Sequence, residues 1–178
     1  MNAERYQVVV VGAGLVGAAA ALALGRQGLR VALIERQPPQ VPDEALDTRI
    51  YAISPASQRF LEGIGAWQQL EAGRIQPVFR MDVAGDTSGV VRLDAYEAGV
   101  SHLATILESG RLQHALWQAI EADGSVARRC PASIAALEHG DRFTRVMLDD
   151  GGCWRPNSSS AQTAPPRASA NGRALPRR

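Results

Sequence analysis

Cysteine and histidine are scarce, and there is no large excess of charge of either sign. The two cysteines, Cys130 and Cys153, show neither metal-ligand spacing nor the framework of a disulfide-stapled secreted domain, so they read as idle thiols of a reducing compartment. None of the three histidines, His102, His114 and His139, has a second ligand at helical spacing, which argues against a metal site. A net charge of +1, with three of the 19 basic residues in the last six positions, leaves no basic face to attract nucleic acid. One uncharged run, Val8 to Gly25, reaches the length of a membrane span, but its four consecutive valines, glycine cluster and Ala/Leu stretch describe a buried strand turning into a packed helix. The Glu4-Arg5 start also lacks the basic region of a secretory signal. A cytoplasmic location is expected, with no anchor formed by these residues.

What is present fits an ordinary domain. The chain has 178 residues, 46% of them hydrophobic and 21% charged, the balance of a soluble globular protein. Its first part predicts one βαβ unit: a strand from Gln7 to Val11, a glycine turn, a helix from about Leu15 to Gln27 stopped by Gly28, and a strand from Leu29 to Ile34. Both strands are continuous apolar runs, as parallel strands buried on two faces require. The proline-rich "QPPQVPDEALDTR" predicts a surface loop. "SPASQRFLEGIGAW" then opens on a capping serine followed by proline, and sets Phe60, Leu61, Ile64 and Trp67 at helical spacing in a short helix interrupted near Gly63-Ile64-Gly65. From Val78 to Ala104 weak alternation suggests strands. "SGRLQHALWQAIEADG" restores the helical period through Leu112, Ala115, Leu116, Ala119 and Ile120, ending at Gly124. A β-meander built from "SVARRC" and "ASIAALEHGDRFTRVMLDDGG" is expected to follow. The fold class is therefore α/β, a Rossmann-like βαβ unit with an added β-meander.

The chemistry-bearing motif lies in the first turn. Gly12-Ala13-Gly14-Leu15-Val16-Gly17 is a G-x-G-x-x-G that follows a strand and opens a helix, and Glu35 answers it at the end of the second strand. Gly12 allows the tight turn, Gly14 leaves room for a pyrophosphate, and Gly17 lets helix and strand pack closely. The helix N-terminus presents unpaired N–H groups and partial positive charge to that pyrophosphate. Glu35 can accept hydrogen bonds from adenosine ribose hydroxyls, and its charge repels a 2′-phosphate. FAD or NAD, rather than NADP, is the expected ligand. The unit by itself does not choose between them, because both share the ADP half.

Three stretches in order, "VVVVGAGLVGAAAALALGRQGLRVALIER", "DTRIYAISPASQRFLEGIGAW" and "ILESGRLQHALWQAI", resemble the FAD-dependent aromatic hydroxylases of ubiquinone biosynthesis, within the flavoprotein monooxygenases related to p-hydroxybenzoate hydroxylase. The resemblance covers about residues 5–154 and looks closest to the branch acting on a polyprenylated benzoquinol ring. It implies that Gly12, Ala13, Gly14 and Gly17 hold the FAD pyrophosphate and that Glu35 and Arg36 hold the adenosine portion. Arg49 matches the arginine of the family's D-x-R segment along the FAD; the alternative is a surface arginine paired with Asp47. After Glu108 the family carries a long polar side chain where this chain has Ser109. Arg111 is a candidate to reach the cofactor instead, against a solvated helix-start arginine. Trp67 and Trp117 read as core anchors, not flavin-stacking groups.

The implied reaction is oxygen-atom transfer from O2 to an electron-rich ring on the flavin, with electrons from NAD(P)H. No side chain of this chain is assigned a catalytic role, since the protein's task is to place the cofactor and exclude water. The implied partners are FAD and, in a full-length relative, NAD(P)H and a polyprenylated aromatic substrate, with peripheral membrane or quinone-biosynthesis complex association through that substrate. The alternative is a truncated FAD or NAD nucleotide-binding module of another oxidoreductase, without hydroxylase activity.

Residues 1–154 are expected to be the FAD-binding domain, with no substrate domain after it. From Arg155 the family continues as a strand into a "GADG" motif, whereas this chain runs into "RPNSSSAQTAPPRASANGRALPRR". Read from the third base of each codon, with G or C at most free third positions, Arg155 to Asn171 becomes "AELVVGADGAASRVRE". Residues 155–178 are thus expected to be a frameshifted, non-native tail on a truncated and inactive chain, with a disordered natural tail as the alternative.

Overall fold

The computed structural model describes residues 4–86, 88–140, 143–149 and the backbone of 153–156. Its centre is a parallel sheet with the order β2 (Val8–Val11), β3 (Val31–Ile34), β9 (Val126–Arg129). Alternation along β3 divides the molecule into layers. Val31 and Leu33 face one way, into a cluster with Leu22 of helix α1 (Leu15–Arg26) and Leu112, Leu116 and Ile120 of helix α3 (Ser109–Asp123). Ala32 and Ile34 face the other way, against Val146 and Leu148. All four β3 residues are buried, because both faces of the central strand are covered.

The second face carries a four-stranded sheet with the order β1 (Glu4–Tyr6), β12 (Cys153–Pro156), β11 (Thr144–Leu148), β10 (Ile134–His139). Only its β10–β11–β12 part is a meander. "SVARRC", expected within it, leaves as β9 and pairs parallel with β3, since its apolar Val126 packs under the helices. The first strand is also divided: Gln7 is a bend, β1 pairs with β12, and β2 pairs with β3. Strand β12 includes Arg155 and Pro156, so the boundary expected after residue 154 falls inside a strand. The remainder of the expected tail, residues 157–178, lies outside the described residues.

A third sheet has the order β4 (Ile50–Ile53), β8 (Ala104–Glu108), β5 (Gln76–Val78), all antiparallel. A separate ribbon pairs β6 (Arg80–Ala84) with β7 (Val90–Asp94). Between β4 and β5, helix α2 (Pro55–Gly63) starts as its sequence dictates: Ser54 Oγ accepts the Ser57 N–H at 3.2 Å and Pro55 opens the first turn. Leu61 and Ile64 are buried and Trp67 packs beside them, but Phe60 is exposed. The helix presents a narrower apolar stripe to the 67–69 turn and β8 than the full set of apolar residues suggested. Trp117 packs against the same core, with the Arg128 guanidinium 5.2 Å from its ring centre.

Candidate functional site

The three parallel strands end together, and the glycine turn and Glu35 lie at their carboxyl edge. There the Gly12–Gly17 turn leaves β2, Glu35 follows β3, and Cys130 follows β9. Gly12 has φ +93°, a conformation that side chains of L-residues disfavour, and its N–H donates to Ile34 O at 2.8 Å. At Gly17 a Cβ would collide with the Gly12 carbonyl oxygen, so the turn folds back on α1 only without a side chain there. At Gly14 a Cβ would meet nothing within 4 Å, so the turn is open on that side.

Helix α1 begins at this opening without a side-chain cap and without an acidic residue in its first turn. Its first N–H groups therefore keep their partial positive charge. The Gly14 N–H has no acceptor among the described residues. Glu35 closes one flank. Its Oε2 accepts the Ala13 N–H, and its Oε1 accepts the N–H groups of Arg36 at 2.7 Å and Gln37 at 3.1 Å. These bonds hold the carboxylate at the mouth of the turn while leaving it lone pairs for a further donor. Burial pushes the neighbouring Cys130 thiol up, and the Glu35 charge adds to the effect against the opposing pull of Arg128.

Helix α3 approaches the same turn from another direction. Its Gln113 Nε2 donates to Ala13 O at 3.0 Å. Its N-terminus is tied to the loop after Glu35: Asp47 Oδ2 accepts the Gly110 N–H at 3.1 Å, and the Ser109 N–H donates to Arg49 O at 2.8 Å. Asp47 Oδ1 also accepts the Arg49 N–H at 2.8 Å. The N–H groups of Arg49 and Gly110 hold the Asp47 carboxyl below its usual range, against a smaller desolvation effect. Arg49 itself is exposed, and its guanidinium has no ion-pair partner among the described residues. The expected alternative, a side-chain pair with Asp47, is not formed; that carboxylate binds backbone. Arg36 is likewise exposed beside Glu35.

Arg111 is placed differently. Its side chain is only 15% exposed and all three guanidinium nitrogens have protein acceptors: Glu108 Oε2 at 3.1 Å, Glu71 Oε2 at 3.1 Å and Asp43 O at 2.6 Å. Arg74 joins the cluster, 2.9 Å from Glu108 Oε1 and 3.2 Å from Ala45 O. Burial raises the Glu108 carboxyl, but the Asp47 N–H and the two guanidinium groups outweigh it and hold that carboxyl below its usual range. This cluster, centred on the buried Glu108, grips the 43–47 loop by its backbone. The sequence motifs single out neither Arg74 nor Gln113. The only signal for Gln113 is a polar residue bordering the apolar stripe of α3.

Among the described residues no group of three or more His, Cys, Asp or Glu could hold a metal ion, and no helix is long and apolar enough to cross a membrane.

Known proteins resemble this chain in sequence and in fold. The chain is 37% identical over 153 residues to the 3-demethoxyubiquinol 3-hydroxylase of Escherichia coli, an alignment covering 85% of this chain and 39% of that protein. It is 34% identical over 125 residues to the human mitochondrial ubiquinone biosynthesis monooxygenase COQ6, covering 66% of this chain and 26% of that one. The chain thus spans about two fifths or less of the length of these relatives. Among solved structures, Pseudomonas aeruginosa PqsL in complex with 2-aminobenzoylacetate superposes with a TM-score of 0.68 at 24% identity, over 86% of this chain and 41% of that one. The p-nitrophenol 4-monooxygenase PnpA of Pseudomonas putida superposes with a TM-score of 0.67 at 20% identity, over 86% and 40%. These likenesses establish the fold, the α/β class with its parallel sheet. The sequence model described as "FAD binding domain" matches residues 5–151, which decides for FAD the choice between FAD and NAD that the βαβ unit leaves open. The chain belongs to the FAD binding domain family.

Proposed function

We propose that this chain is the FAD-binding part of a flavin-dependent monooxygenase that hydroxylates the aromatic ring of a ubiquinone precursor with O2 and NAD(P)H. The observation that carries the reading is the open glycine turn at the uncapped start of α1, flanked by the Glu35 carboxylate. The residues fit the cofactor. A diphosphate can approach Gly14 without meeting a side chain, and the first N–H groups of α1 face it as donors. Glu35 would accept ribose hydroxyls, Arg36 beside it would help hold the adenosine portion, and the exposed Arg49 would supply positive charge to the diphosphate. Arg111, with three protein acceptors, supports this reading by holding the 43–47 loop from which Asp47 and Arg49 follow.

When bound, the flavin supplies the redox and oxygen-transfer chemistry. This chain's residues bind it, fix its ADP half and hold the glycine turn and the 43–49 segment in register. They move no proton in the reaction as we assign it. The names of the curated relatives, a demethoxyubiquinol hydroxylase and a ubiquinone biosynthesis monooxygenase, support a quinone-precursor ring as substrate class. A lipid-tailed substrate of that class brings the protein to a membrane surface peripherally. The test is FAD titration of the purified chain, followed by flavin absorbance and fluorescence. Saturable FAD binding with competition by ADP supports the reading, and a chain that binds neither overturns it.

A further inference from the structure

Two hydrogen bonds reach the Ala13 peptide units from remote parts of the chain. Glu35 takes the Ala13 N–H, and Gln113 of α3 donates to the Ala13 carbonyl at 3.0 Å from one hundred positions away. A carbonyl oxygen only accepts, so the Gln113 amide group must present its NH2 here. Ala13 is fully buried in the core cluster, and the amide of Gln113 is partly buried with it. Loss of this donor would strand a buried carbonyl.

The direction of that carbonyl matters. The Ala13–Gly14 peptide bond is trans, the only cis bond among the described residues being Cys130–Pro131. In a trans unit the C=O and N–H point in opposite directions. Drawing Ala13 O inward to α3 therefore turns the Gly14 N–H outward, and this N–H has no acceptor among the described residues. A Cβ built at Gly14 would also meet nothing within 4 Å, so no protein side chain crowds this residue. From this geometry we infer that Gln113 is a positioning residue for the cofactor's diphosphate: it fixes the peptide plane that aims the Gly14 N–H at the ligand. The role couples α3 to the glycine turn, so ligand affinity depends on a side chain that never touches the ligand. It rests on the FAD reading above.

The experiment compares wild type, Gln113→Leu and Gln113→Glu by FAD titration of the full chain, with melting of each apo chain. Gln113→Leu removes the donor at similar volume and weakens FAD binding about tenfold, the scale of one buried hydrogen bond. Gln113→Glu places an acceptor against an acceptor at neutral pH, and its protonated carboxyl becomes a donor in acid. Its FAD deficit relative to wild type shrinks as pH falls from about 7 to about 4, through the ordinary glutamate value of about 4.3, a response that simple packing would not give. Gln113→Leu binding within about twofold of wild type overturns the inference. So does a Gln113→Glu deficit that does not change with pH. Wild-type chain that binds no FAD overturns the FAD reading together with the inference, and that outcome appears before any variant is measured.

Discussion

Asp47 caps helix α3 from 63 positions upstream: its Oδ2 accepts the Gly110 N–H at 3.1 Å while its Oδ1 accepts the Arg49 N–H at 2.8 Å. One carboxylate thus holds both the first turn of the helix and the backbone of the arginine that follows it. Glu108, at the N-cap position, makes no side-chain cap bond, so the helix start relies on this remote residue. Asp47→Ala should lower the melting temperature of the apo chain and release the 43–49 segment, read as faster amide hydrogen exchange at Arg49 and Gly110. Asp47→Asn, which keeps one acceptor, should restore part of both.

Glu108 should govern acid stability. Its carboxyl is held below the usual value of 4.5, so the folded state binds its proton more weakly than the unfolded chain. The resulting stabilisation is fully present above that value and disappears as pH falls through the depressed folded one. Glu108→Gln would leave Arg74 and Arg111 without their shared carboxylate and should cost about 3 kcal/mol at neutral pH, measured by urea unfolding. The variant should also lose less of its remaining stability between about pH 5 and about pH 3 than wild type does.

The two interior glycines of the turn should separate folding from binding. Gly17→Ala pushes a methyl group into the Gly12 carbonyl and should destabilise the apo chain by about 1–3 kcal/mol, with FAD affinity falling as the turn shifts. Gly14→Ala meets no protein atom, so the apo melt should stay close to wild type while FAD affinity drops tenfold or more, on the order of 1.4 kcal/mol. Parallel melts and titrations of the two variants check this contrast.

Glu35 should set the choice between adenosine and 2′-phosphoadenosine. Glu35→Gln keeps an acceptor for the ribose but removes the charge that repels a 2′-phosphate. ADP should bind the variant more weakly than it binds wild type, and the preference for ADP over 2′-phospho-ADP should shrink by about tenfold, read by competition against bound FAD.

Features set by neighbouring residues were legible before the structure. Ser54-Pro55 starts α2, and Gly124 with φ +72° ends α3, because caps and left-handed stops need only local side chains and backbone freedom. The glycine turn was legible for the same reason. The helical period placed Leu112, Leu116 and Ile120 correctly in the core. Phe60, assigned to the same kind of stripe, faces outward because burial depends on which neighbours cover the helix, and periodicity alone does not contain that.

The destination of β9 shows the same limit. "SVARR" reads as a strand, but whether it joins the meander or the parallel sheet depends on a pairing with β3 almost a hundred residues earlier. Arg111 reads as a ligand candidate in one dimension and is found with three protein acceptors in three.

By itself the sequence determined the βαβ unit, the open glycine turn and the acidic residue that answers it, since all three follow from backbone freedom and spacing over about one strand-turn-helix length. Tertiary structure alone decided what holds that turn, the start of α3 and the 43–47 loop in place. Gln113 on Ala13, Asp47 on Gly110 and Arg74 with Arg111 on the 43–47 loop join segments that are distant along the chain, and hydrogen bonds between remote segments exist only once packing has brought them within 3 Å or so.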